Sequence, residues 1–120
     1  MNADPIYHIV TRKAWRQARS SMLFHPDSLE SEGFIHCSTR EQVCATAARH
    51  FAGQSDLVLL EIDPTVSGMK VQWENTSGGE ELFPHLYGPL PVRAVVRVYE
   101  FPINFDGTFS LPAGLASPRA

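Results

Sequence analysis

The sequence predicts an α+β fold with a mixed or mainly antiparallel sheet. Two early strand-helix units are followed by several strands, and no glycine-rich turn joins a strand to a helix. The missing turn excludes a Walker loop and a Rossmann-type dinucleotide fingerprint. Any nucleotide site must therefore be built on another architecture. At 120 residues there is room for one core and little more, so residues 1–105 are read as one domain and 106–120 as a loose tail.

Residues 6–10 carry the β-branched content of a strand, and Thr11 is placed to cap the helix after it. Ala14, Trp15, Ala18 and Met22 then recur at helical spacing between polar positions. Residues 24–33, with Pro26 and a closing Gly33, read as a loop into a second strand at 34–37. Thr39 with Gln42 forms a capping-box pattern, Val43, Ala47 and Phe51 mark one helix face, and Gly53 ends it.

The nearly continuous apolar run 57–62, stopped by Asp63-Pro64, predicts a strand covered on both faces. Residues 71–74 form a shorter strand. Residues 75–82, with two glycines and two glutamates, form a mobile loop able to cover a ligand. Prolines 84, 89 and 91 stiffen the path around His85, Tyr87 and Gly88. A last strand spans 94–101, and beyond Phe105 the Gly, Ser, Pro and Ala content predicts the tail.

The net charge of −3 lacks the positive excess needed to displace counterions from long nucleic acid. Eight of the ten basic residues are arginines, a preference compatible with gripping a small anion. Cys37 and Cys44, with six residues between them, fit neither a disulfide framework nor a zinc knuckle, so a reduced, cytoplasmic setting is expected. No export segment or membrane-length apolar run is present. Composition leaves the oligomeric state open.

Three histidines stand in apolar or proline-stiffened runs: His8, His36 and His85. A buried imidazole needs partners for both nitrogens, so three of them suggest a polar site set into a core. Alternation puts His8 with Ile6 and Val10 on one strand face, and His36 with Phe34 and Ser38 on another. If the two strands are neighbours, His8 and His36 meet above a cleft. His25, before Pro26, and His50, at a helix end, read as structural.

Three histidines could also ligate zinc with an open fourth position, but no HxH or HxxxH pair supplies two ligands from one element, and no metal is expected. Cys37 and His36, adjacent on a strand, point to opposite faces and are a poor nucleophile-base pair. Trp15, Phe51 and Trp73 read as core or loop-packing aromatics, and Glu61 and Glu74 end strands from which either could reach a cleft, although strand ends are usually solvated.

The blocks Ile6-Tyr7-His8-Ile9-Val10-Thr11, Glu32-Gly33-Phe34-Ile35-His36-Cys37-Ser38, 57–63 and Phe83-Pro84-His85-Leu86-Tyr87-Gly88-Pro89-Leu90 resemble, in order and spacing, the bacterial family called domain of unknown function 952. The resemblance covers about residues 5–101. It implies a fold similar to that of the ADP-ribosyltransferases, with two small mixed or antiparallel sheets, flanking helices and a central cleft holding NAD. On that resemblance His8, His36 and His85 would be catalytic, and Thr11, Phe34, Ser38 and Tyr87 would contact the cofactor. His8 and Ser38 would fix a ribose, and Phe34 or Tyr87 would stack on a base.

The departure is at the third motif, where many transferases carry a glutamate and this chain offers His85 and Tyr87. The expectations are therefore a transferase or glycohydrolase acting on NAD or a small nucleotide-like ligand, a nucleotide sensor without turnover, or a zinc-dependent hydrolase.

Overall fold

The computed structural model describes residues 4–66, 68–75 and 79–116. The chain runs β1 (Ile6–Thr11), α1 (Arg12–Ala18), β2 (Leu23–Phe24), α2 (Asp27–Glu32), β3 (Ile35–His36), α3 (Val43–His50), β4 (Leu57–Ile62), β5 (Val71–Glu74) and β6 (Phe83–Leu86). It ends with β7 (Leu90–Pro91), a 3-10 turn at Val92–Ala94, β8 (Val95–Glu100) and α4 (Ala113–Ala116). The α+β class holds. Each strand pairing is antiparallel, in three sheets ordered β1-β4-β8, β2-β7 and β3-β6-β5.

Strand β4 is the centre of the first sheet, and its apolar run divides by alternation. Val58, Leu60 and Ile62 enter one core with Ile6 and Val10 of β1. Leu57 and Leu59 enter a second core with Tyr7 and Ile9. Two-sided burial is what the unbroken apolar run required. His8 lies on the first of these faces, between Ile6 and Val10.

Local signals fold as their chemistry dictates. Thr11 Oγ1 accepts the Ala14 N–H at 3.1 Å and starts α1. The Thr39 N–H donates to Gln42 Oε1 at 3.0 Å while the Gln42 N–H donates to Thr39 Oγ1 at 3.2 Å, so the capping box closes in both directions just before α3. Gly33 ends α2 at φ +88°, a left-handed conformation that favours glycine. Arg12 ties the start of α1 to Asp56 and to Glu100 at the end of β8.

Several expectations are corrected. Helix α1 stops at Ala18, and Met22, counted on its buried face, is 86% exposed. The loop expected over 24–33 contains the short strand β2 and helix α2, because Asp27 and Glu30 favour a helix start. Trp73 is 45% exposed and is not part of the buried core.

The tail expected over 106–120 is packed in its described part: Phe109 and Leu115 are buried in the second core, and Arg40 Nε donates to the Leu115 carbonyl at 2.6 Å. Two apolar anchors outweigh the Gly and Pro content between them. Part of the loop expected over 75–82 lies outside the described residues. Among the described residues no helix is long and apolar enough to cross a membrane.

The first and third sheets are joined by one rung. The Tyr7 N–H donates to the Ser38 carbonyl and the Ser38 N–H to the Tyr7 carbonyl, both at 2.8 Å. Strand β1 otherwise pairs with β4, so β1 and β3 touch only at this rung and its surroundings. The arrangement leaves a hollow beside His8.

Candidate functional site: a histidine-lined cavity

The hollow is a cavity of about 980 Å³, and His8, His25, His36, His50 and His85 all line it. These are all five histidines of the chain. His8 enters from β1, His36 from β3 and His85 from β6. His25 comes from the β2–α2 turn and His50 from the last position of α3, so the two histidines read as structural also face the cavity. Their contribution depends on how α2 and α3 fold over the sheets, which no local pattern reveals.

His8 Nδ1 lies 2.7 Å from the His36 carbonyl. A carbonyl can only accept, so this nitrogen carries the proton and Nε2 presents a lone pair. Burial pushes the His8 imidazole down to about 4, against the opposing effect of the carbonyl, and the nearby His36 lowers it further. At neutral pH His8 is therefore an uncharged acceptor on the cavity wall.

The third sheet holds the densest side-chain group. In the β3–β6 register His36 faces His85, and in the β5–β6 register Glu74 lies diagonally from His85 on the same face. His85 Nδ1 donates to Glu74 Oε1 at 2.9 Å, and the Tyr87 hydroxyl donates to the same oxygen at 2.7 Å. The phenol and the imidazole hold the Glu74 carboxyl below its usual range, and Glu74 in turn raises the Tyr87 phenol.

Phe34 stacks on His85 with ring centroids 4.3 Å apart at 21°, and His36 meets His85 edge-on at 5.3 Å. His36 Nε2 reaches Glu32 Oε2 at 3.0 Å, but the side chains are 47% and 49% exposed, so that pair adds little to stability.

The residues expected to contact a ligand divide. Thr11 and Ser38 line the cavity with His8, His36 and His85, and Ser38 Oγ donates to Thr46 Oγ1 at 3.2 Å. Phe34 and Tyr87 do not line it. Phe34 stacks one ring face on His85, and the Tyr87 hydroxyl donates to Glu74. Phe24, Phe51 and Phe83 are the phenylalanines of the wall, and Arg49 is its one arginine or lysine among the described residues.

Glu74, read as a strand-end carboxylate, is tied to His85 and Tyr87. Glu61 does accept from Tyr99 at 2.9 Å and stays outside the cavity. Burial pushes the Cys37 thiol up to about 12, which leaves it inert beside His36. Among the described residues no three His, Cys, Asp or Glu side chains are grouped to hold a metal ion, so the three-histidine zinc reading has no donor set there.

Fold and site together define a small α+β protein with antiparallel sheets around a cavity rich in imidazole. The chain belongs to the family described as "Protein of unknown function (DUF952)", whose model matches residues 9–98. It is similar to protein CC0527 from Caulobacter crescentus. The crystal structure of that protein is 38% identical, covering 94% of this chain and 99% of that one, with a TM-score of 0.82. The solution NMR structure of CC0527 is 39% identical over 93% and 97%, with a TM-score of 0.79. No curated protein matches.

Proposed function

We propose that this protein holds NAD or a smaller nucleotide-like ligand in the cavity between its two three-stranded sheets. In this reading the scaffold is ADP-ribosylation-like, and the protein acts as a transferase or glycohydrolase. The observation that carries the reading is the gathering of all five histidines on one cavity. A volume of about 980 Å³ is at the upper end of small-molecule sites, which suits an elongated ligand.

The neutral His8 Nε2 accepts a hydrogen bond from a ribose hydroxyl, with Ser38 beside it. Arg49 pairs with phosphate, and Phe24, Phe51 and Phe83 supply apolar surface for a base or nicotinamide ring. His36 and His85 are the imidazoles placed on the wall to pass a proton to or from the ligand. The partner is thus a small molecule, not long nucleic acid or membrane, and the free thiols of Cys37 and Cys44 fit a reducing cytoplasm.

The test is a thermal-shift panel of nucleotides followed by an assay for released nicotinamide. A bound ligand at 100 times its dissociation constant adds about 2.7 kcal/mol, and His8→Ala abolishes both the shift and the release. A panel in which no nucleotide moves the transition sinks the proposal. A sensor without turnover is the second reading, favoured by the position of Glu74 outside the cavity wall. It predicts stabilisation by NAD that is recovered intact.

A further inference from the structure

The chemistry of the third sheet is more specific than a cluster of histidines. Alternation places Glu74 of β5, His85 of β6, Tyr87 just beyond it, His36 of β3 and Phe34 just before β3 on a common face. Three strands thus converge on one imidazole. Its Nδ1 is engaged by Glu74, its ring plane is fixed by Phe34, and its edge-on neighbour is His36.

We propose that His85 is a held general base, that its Nε2 takes the proton from an oxygen nucleophile in the cavity, and that Glu74 and Tyr87 are the residues that position it. The proposal rests on the reading of the cavity as a nucleotide site and names the group acting on the attacking oxygen there. A base must present a lone pair in a fixed direction. With Nδ1–H given to Glu74 Oε1, the lone pair falls on Nε2, which has no hydrogen-bond partner among the described residues.

The side chain is 3% exposed and yet lines the cavity, so what reaches Nε2 comes through the cavity and not from bulk solvent. Glu74 does not line it, so its carboxylate acts through the ring.

The charges follow the proton. The O–H bond of a water or an acceptor alcohol breaks and a bond from hydrogen to Nε2 forms. The electron pair stays on that oxygen as it attacks the ribose carbon, and the bond to the departing nicotinamide breaks with its pair going to the ring nitrogen. The imidazolium left at His85 lies 2.9 Å from the Glu74 carboxylate and faces the Phe34 ring, both of which stabilise a cation. The Tyr87 hydroxyl keeps that carboxylate ionised and aimed at Nδ1.

The experiment reads the His85 tautomer by nitrogen-15 NMR of the full chain, and nicotinamide release with NAD as the probe. The wild type should show Nδ1 protonated and Nε2 bare. Glu74→Ala should scramble the two forms and lower kcat roughly tenfold or more, with KM unchanged. Glu74→Gln, which keeps an acceptor oxygen, should preserve the tautomer and lower kcat less. It carries the same comparison if the alanine variant fails to fold.

Tyr87→Phe should keep the tautomer with a smaller loss. A protonated Nε2 in the wild type overturns the proposal, as does a Glu74→Ala enzyme with wild-type kcat. Bare Nε2 without any nicotinamide release would support the positioning by Glu74 and retire the NAD reading instead.

Discussion

Replacing His8 by Asn should remove a pH-dependent loss of stability that the wild type shows between pH 6.5 and 4.5. The folded protein holds this imidazole at about 4 against an ordinary value of 6.5, chiefly through burial. Between those values the unfolded chain binds a proton that the folded chain refuses, so stability falls as the pH drops. The contribution is complete above 6.5, declines by up to about 1.4 kcal/mol per pH unit below it, and is spent near pH 4.

A shift of this size corresponds to about 3 kcal/mol, and because the ring is only partly buried the expected loss is about 2 kcal/mol. Asn keeps a donor near the position of Nδ1 for the His36 carbonyl but cannot titrate. Urea unfolding of both proteins at several pH values measures the difference. The lowered carboxyls of Glu74, Asp63 and Glu100 matter only at more acid pH and are common to both. Parallel stability curves from pH 7 to 4.5 would refute the reasoning.

Phe34→Ala should cost about 3 kcal/mol, because a buried ring is lost from beside His85, and urea midpoints measure it. Thr39→Ala removes the hydroxyl that accepts the Gln42 N–H and should cost about 1 kcal/mol in the same assay. Arg49→Ala should weaken binding of a nucleoside diphosphate by roughly tenfold or more in calorimetry and leave the uncharged nucleoside unaffected. Equal weakening of both would remove Arg49 from the phosphate site.

What was legible in the sequence depended on local pattern. The apolar run of β4, the Thr11 cap and the Thr39–Gln42 box each specify a structure within a few residues, and each forms. Family membership was legible in the spaced blocks around His8, His36 and His85. Strands β2 and β7, two residues each, are too short for any periodicity and exist because they pair with one another.

The role of Glu74 was hidden for a different reason. Its link to His85 depends on the β5–β6 register, which a chain without a tight hairpin turn between those strands does not announce. Alternation within each strand was the available signal, since it groups Gln72 with Glu74 and His85 with Tyr87, but only pairing brings the two sets together. His25 and His50 escaped notice likewise, because a helix end and a proline turn look alike whether they face solvent or a cavity.

The paired bonds between Tyr7 and Ser38 act as a single stitch between two fabrics. On either side of it the strands are free to diverge, which opens the space, while the stitch sets the offset at which His8 and His36 meet. Because neighbouring side chains alternate, moving it by one residue would turn His36 inward and bring Ile35 or Cys37 out in its place. The meeting of imidazoles from separate sheets is thus governed by two amide hydrogens, and a backbone ester at Tyr7 or Ser38 would loosen it without touching a side chain.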